Sequence, residues 1–302
     1  MTEQTASRAR ELEKPIIAAV DGSAVSYHAA AWAAVDAALH GCRLHLVTSA
    51  ALQTGYGPAP LVTDKDVELL RRDGERVLTE AKRIARNAAS GDTAEISTEV
   101  VFDPVIPHLI TTSREARMLV LGSRGLGSLR RGLLGSVSSA LIRHAHCPVA
   151  IVHSTSATDT VSIGKPVLVG VDGTRNSEPA VAFAFEEASR RKVGLVALHA
   201  WSDMTGPVVV TEGWERDAEE VVLADSLVGW SERYPDVSVR RILVHDRPVR
   251  ALLGAAEDAQ LVVVGSHGRG GFAGMLLGST SAALVQSVEC PIVVVRERAT
   301  EV

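Results

Sequence analysis

The sequence predicts an α/β protein made of two tandem doubly wound domains, and three observations lead there. The length, 302 residues, suits two cores of about 150 residues each rather than one. The chain repeats itself once, end to end. Within each copy, short runs apolar on both faces alternate with longer segments of helical period, as strands of a parallel sheet alternate with covering helices.

The repeat sets the boundaries. "PIIAAVDGS" at Pro15 returns as "PVLVGVDGT" at Pro166, which puts Asp172 151 positions after Asp21. "MLVLGSRG" returns as "LVVVGSHG" and "CPVAIV" as "CPIVVV", with Gly265 and Cys290 each 143 positions after Gly122 and Cys147. The drop from 151 to 143 predicts one insertion of eight residues in the first copy. The Gly/Pro-rich "QTGYGPAPLVTDKD" is the place for it, as a surface loop. The small, polar "STSATDTVSIGK" reads as a linker, so the domains span 15–153 and 165–297.

In the first copy the expected strands are Ile16 to Val20, Leu44 to Ser49, Ile96 to Phe102, Met118 to Leu121 and Val149 to Val152. The Ala-rich helix "SYHAAAWAAVDAALHG" should end at Gly41, a C-cap. A second helix, "DVELLRRDGERVLTEAKRIARNA", carries Leu70, Val77, Leu78, Ala81 and Ile84 at helical spacing, with Lys82, Arg83 and Arg86 among Glu75 and Glu80 as a solvated face. A third, "SVSSALIRHA", puts Val137, Leu141 and Ala145 on one side. Strand order 3-2-1-4-5, flavodoxin-like, sets the first and fourth strands side by side, where the order reverses and ligands settle beyond the strand ends.

Composition narrows the function. A formal charge of −5 argues against nonspecific nucleic-acid binding. The polar opening "MTEQTASRARELEKP" and the lack of an apolar run of about 18 residues lead to an expectation of a soluble, cytoplasmic protein with no membrane partner. Cys42, Cys147 and Cys290 form an odd set without CxxC spacing, which predicts neither disulfides nor a zinc site and fits a reducing compartment. His144 and His146 lie two apart on a helix and face different ways, so no metal pair is expected; His45 and His199, in second strands, read as half-buried structural residues.

The segment "GSRGLGSLRRGLLGS" carries the chemistry. Gly122, Gly125, Gly135 and Ser136 follow one spacing, repeated by Gly265, Gly268, Gly278 and Ser279. Each set runs from strand end through a glycine loop to a helix start, where bare backbone and unsatisfied N–H groups suit a phosphate. Ser136, Ser138, Ser279 and Ser281 offer hydroxyl donors; a duplicated structural turn would also repeat in this way. Asp21-Gly22 and Asp172-Gly173 end the two first strands, as a turn, a cap or an acceptor. A carboxylate repels a triphosphate, so in a ligand site these Asp residues belong at the base or ribose end, and the ligand described is a nucleotide. No GxGxxG follows a first strand, and no GxxxxGK(S/T) or GxSxG occurs.

With its Gly spacing, the "VDGS" and "VDGT" turns and the "CPV" and "CPI" before the last strands, nearly the whole chain resembles the universal stress protein family in its tandem form. The resemblance implies two adenine nucleotide α-hydrolase-like domains that bind ATP with Mg²⁺. It carries phosphate and ribose contacts onto Gly122, Arg124, Gly125, Gly135, Ser136 and Ser138, and onto Gly265, His267, Gly268, Gly278, Ser279 and Ser281. Adenine contacts fall near Asp21 and Ser49, and near Asp172 and Ala200. It also implies fifth strands paired edge to edge as an intrachain pseudo-dimer that leaves room for a homodimer, with Cys147 and Cys290 as small buried hydrophobes. One departure is the turn after the third strand, where Asp103-Pro104 and Asp246-Arg247-Pro248 stand in place of a small Gly-containing turn. The expected function is a nucleotide-dependent stress-response or signalling module with an unidentified protein partner and no catalytic residue. The alternative is a slow ATPase or nucleotidyl-transfer enzyme. Arg124, Arg130 and Arg131 in the first loop, against His267 and Arg269 in the second, predict tighter triphosphate binding in the first half.

Overall fold

Ile16, Leu44, Met118 and Val149 open strands that are buried from their first residue, because helices cover both faces of the sheet to which they belong. The computed structural model describes residues 14–51, 63–89, 95–125, 134–153, 162–201, 212–269 and 277–296. Arg130, Arg131, most of the expected insertion loop and most of the expected linker lie outside them. The chain divides into two units, Met1–Thr158 and Asp159–Val302.

The first unit contains β1 (Ile16–Ala19), β2 (Leu44–Ser49), β3 (Ile96–Val101), β4 (Met118–Gly122) and β5 (Val149–Val152), with α1 (Ala24–His40), α2 (Asp64–Ala88), α3 (Val105–Thr112) and α4 (Ser136–His144). All neighbours are parallel, in the order β3-β2-β1-β4-β5. The chain steps outward from β1 to β3, then returns to β4 beside β1. Right-handed crossovers therefore send α1 and α2 to one face and α3 and α4 to the other, in keeping with the packing of α1 on α2 and of α3 on α4.

Local chemistry sets the helix ends. Ser23 caps α1 by accepting from the Ser26 N–H at 3.2 Å. Gly41, at φ 65°, closes it on the carbonyls of Ala37 and Ala38. Ala29, Ala30, Ala33, Ala34 and Ala37 are fully buried, so α1 sinks into the unit nearly all round. On α2, a Thr63–Asp66 capping box starts the helix, Leu78, Ala81 and Ala85 face inward, and Arg71–Glu68 and Arg83–Glu80 pairs occupy the solvated face. The buried side of α4 runs through Ser138, Leu141 and Ile142, not Val137. It is turned because the Ser138 hydroxyl is drawn inward to a strand-end carbonyl.

The second unit repeats the plan with β6 (Val167–Val171), β7 (Leu195–Trp201), β8 (Val239–His245), β9 (Leu261–Gly265) and β10 (Ile292–Val295). Its helices are α5 (Glu178–Arg191), α6 (Glu212–Asp225), α7 (Trp230–Arg233), α8 (Pro248–Ala256) and α9 (Ser279–Ser287). The parallel order is β10-β9-β6-β7-β8. The one-turn helix α7 brings Trp230 and Tyr234 onto buried Phe185, each at 5.9 Å between ring centroids.

Helix packing corrects the expectation of a single insertion. A Cβ on Gly22 would meet Val77 of α2 at 3.2 Å, and one on Gly173 would meet Val222 of α6. Val77 and Val222 are 145 positions apart, neither 151 nor 143. The length difference is therefore shared between the connections before and after this helix. Among the described residues, no helix is long and apolar enough to cross a membrane.

Candidate functional site

β1 ends in an Asx turn: the Ser23 N–H donates to Asp21 Oδ1 at 3.0 Å, and Gly22 takes φ +86°, open to glycine at little cost. The strand register places Asp21 level with Ser49 on β2, since Ala19 pairs with Val47. The Ser49 hydroxyl donates to the Asp103 carbonyl at 3.1 Å and accepts from the Ala51 N–H at 3.2 Å, tying the ends of β2 and β3 together.

The glycine loop meets this turn from β4. A Cβ on Gly122 would stand 3.0 Å from Val25 Cγ1 and 3.2 Å from the Ser26 backbone nitrogen, so this glycine lets the start of α1 approach the strand end. A Cβ on Gly125 would collide with Asp21 Oδ2. Gly135 is different: its φ is −62°, and a Cβ there would find its nearest protein atom at 3.7 Å. Neither the backbone nor the packing demands glycine at that position.

The second unit reproduces each relationship. The Thr174 N–H and hydroxyl both donate to Asp172 Oδ1 at 2.8 Å, Gly173 takes φ +75°, and Asp172 is level with half-buried Ala200. A Cβ on Gly265 would meet the Asn176 carbonyl at 2.8 Å, and one on Gly268 would meet Asp172 Oδ2 at 2.9 Å. Gly278 has φ −67°, and its nearest protein atoms would stand 3.4 Å away.

The expected donors divide into two groups. Ser138 and Ser281 are buried, and their hydroxyls donate to the carbonyls of Gly122 and Gly265 at 2.9 and 2.6 Å, bracing the loop to the strand end. The Gly135 and Gly278 amides likewise donate to the carbonyls of Ser123 and Ser266, at 3.0 and 2.7 Å. In contrast, Ser136 and Ser279 are exposed, and neither α4 nor α9 has a side-chain cap on its first turn. Among the described residues, the groups left open are therefore the first-turn N–H groups of each helix and its exposed serine, while the glycine amides and inner serines have partners within the protein. Arg124 and His267 are half-buried beside these loops, and Ser266 Oγ lies 3.0 Å from His267 Nδ1.

Sequence reasoning missed one cluster, in the second unit. His199 is fully buried rather than half-buried: Nδ1 lies 2.7 Å from the Val171 carbonyl and Nε2 2.6 Å from Glu219 Oε2. Arg269 closes on the same carboxylate, with Nη1 to Oε1 at 2.9 Å and Nη2 to Oε2 at 2.7 Å, while Nε donates to the Asp172 carbonyl at 2.6 Å. Hydrogen bonds from Arg269 outweigh desolvation, and with a further one from His199 they pull the Glu219 carboxyl down to about 2. The signal was present in the repeat, where His199 stands 151 positions after Thr48 and Glu219 stands 145 after Gly74. In the first unit a Cβ on Gly74 would lie 3.2 Å from Thr48 Cγ2, two small residues where the second unit has an imidazole and a carboxylate 2.6 Å apart.

The sequence profile described as the Universal stress protein family matches residues 13–153 and 164–296. A universal stress protein of Mycobacterium tuberculosis is 45% identical over 288 residues, covering 93% of this chain and 97% of its own. A second from the same organism is 41% identical over 294 residues, covering 94% and 97%. Among solved structures, a universal stress protein from Archaeoglobus fulgidus superposes with a TM-score of 0.68 at 20% identity, covering 96% of this chain and 99% of its own, a likeness of fold. Matched in both halves and close to full-length relatives throughout, the chain belongs to the universal stress protein family.

Proposed function

We propose that each half of the chain holds one adenine nucleotide, ATP, beyond the carboxyl ends of its first, second and fourth strands. Occupancy then governs how the protein meets a protein partner in a cytoplasmic stress response. The observation that carries this reading is the repeated seating of a glycine against an aspartate, Gly125 on Asp21 and Gly268 on Asp172, followed in each unit by a helix whose first turn has no side-chain cap among the described residues. Gly135 supports it: among the described residues no atom lies close enough to forbid a side chain there, which leaves room beside the helix start for a ligand, while its amide braces the Ser123 carbonyl.

The residues fit such a ligand. First-turn N–H groups of α4 and α9, with exposed Ser136 and Ser279, would receive the phosphates, assisted by the helix dipole. Asp21 and Asp172, fixed in their turns, face the nucleoside end, where a negative charge costs the ligand least. Mg²⁺ would arrive on the triphosphate and screen its charge. Each half brings one recurrent carboxylate to the loop, and an Asx turn engages it. Rapid phosphoryl transfer needs a positioned base and metal ligands in addition, so the reading is a binding module rather than an enzyme.

Mass spectrometry of nucleotide released from the saturated full-length chain tests this, alongside an assay of phosphate release. Two adenine nucleotides per chain without steady turnover are expected. A chain that binds none, or one that releases phosphate continuously, contradicts it.

A further inference from the structure

Among the described residues, the second cleft contains a network without counterpart in the first. The Arg269 guanidinium donates to the Asp172 carbonyl, grips both oxygens of Glu219, and places Nη2 3.4 Å from His199 Nε2 and 3.4 Å from where a Cβ on Gly173 would stand. Asp172 and His199 mark the carboxyl ends of β6 and β7, the end assigned above to the nucleoside. The grip is built in: Glu219 is held from its other side by His199, which is itself anchored on the Val171 carbonyl and is 1% exposed. A carboxylate gripped by a bidentate guanidinium, with a buried imidazole nitrogen 2.6 Å from its far side, is held firmly and directionally.

The first unit has Thr48 and Gly74 at the positions of His199 and Glu219, and neither side chain can anchor a cation. The residue after Gly125 is Leu126, where the second loop has Arg269 after Gly268. The repeat has thus diverged at three matched positions, and the divergence forms one connected network.

We infer that Arg269, latched by Glu219 and His199, is a built-in competitor for the nucleoside end of the second cleft, so that the two halves bind adenine nucleotide unequally and Glu219 sets the difference. This rests on the nucleotide reading above. To enter the second cleft, a nucleoside must displace the guanidinium, and no described residue imposes that cost in the first. The resulting order, first cleft tighter than second, is the one expected from the loop cations, but its cause here is a guanidinium engaged with its own protein.

The test is calorimetric titration of the nucleotide-free, full-length chain with ATP, resolving two sites. The variants are Glu219→Gln, which keeps a hydrogen-bonding partner for His199 while removing the charge, and Arg269→Ala, which removes the competitor from a largely solvent-facing position. Wild type should show one tighter and one weaker step. Each variant should tighten the weaker step by about tenfold, equivalent to about 1.4 kcal/mol, and leave the tighter step unchanged. A Gly125→Ala background, which damages the first cleft, assigns the weaker step to the second. Two equal steps in wild type, or a weaker step that neither variant tightens, overturns the inference while leaving the nucleotide reading intact. Absence of ATP binding in wild type and variants alike overturns both.

Discussion

The Asp21 carboxylate lies so close to Gly125 that a methyl group at position 125 would overlap Oδ2, and Asp172 stands in the same relation to Gly268, where a Cβ would sit only 2.9 Å from Oδ2. Making room there means turning the carboxylate out of its place, a shift of a side-chain end and not of backbone. Each carboxylate is fixed by an amide two residues on, Ser23 in one unit and Thr174 in the other. A conformational preference for glycine does not explain this seating, but close approach between loop and turn does.

Gly125→Ala should therefore disturb the site more than the fold. We expect ATP affinity of the first site to fall by about tenfold or more, with little change in the thermal midpoint of the unliganded chain, since position 125 is exposed. Gly122→Ala should behave in the opposite sense. Its Cβ would press on Val25 and on the backbone of Ser26, an overpacking cost of about 1–3 kcal/mol. Paired thermal melts and titrations of the two variants separate the outcomes.

The serines offer a second contrast. Ser138→Ala leaves the half-buried Gly122 carbonyl without its hydroxyl donor and should cost about 1 kcal/mol of stability. Ser136→Ala, on the exposed face of the same turn, should leave the melt unchanged and weaken ATP binding. Equal effects of both substitutions on stability would contradict the division of labour between inner and outer serines.

Acid should release the Arg269–Glu219 contact. The Glu219 carboxyl falls from 4.5 to about 2 on folding, chiefly through Arg269, so its contribution to stability is present above about 4.5 and is lost as pH falls towards about 2. The gap in thermal midpoint between wild type and Glu219→Gln should be constant near neutral pH and should narrow below about pH 4.5. A gap that widens on acidification would contradict the ion pair.

All three cysteines are buried, and burial raises the Cys42 thiol and pushes Cys290 up to about 11. They should resist alkylation in the native chain at neutral pH and react fully after denaturation. Rapid labelling of Cys290 in the folded protein would contradict its burial against the Ala256 carbonyl at the end of α8.

Much of this was legible in the sequence, for physical reasons. Strands buried on both faces must be apolar throughout, so β4 and β9 announce themselves as "MLVLG" and "LVVVG". Gly41 ends α1 as its αL cap, and the Asp-Gly dipeptides mark the turns after β1 and β6. Less legible was the reason for each glycine. Gly122 serves packing, Gly22 serves φ, and Gly135 serves neither, a distinction that spacing alone does not carry. The roles of Ser138 and Ser281 were also hidden, because a buried brace and an exposed donor look alike in a glycine-serine stretch. The His199–Glu219–Arg269 network joins residues 20 and 50 positions apart, and only the fold brings β7, α6 and the second loop together.

Equilibrium dialysis of ATP against the nucleotide-free chain, comparing wild type with a Gly125→Ala/Gly268→Ala double variant of matched thermal midpoint, probes the paired clefts most directly. Two nucleotides per wild-type chain at saturation and none on the double variant are expected. A double variant that binds as wild type does, or a wild type that binds nothing, would show that the glycine and aspartate pairs shape a turn and not a ligand site.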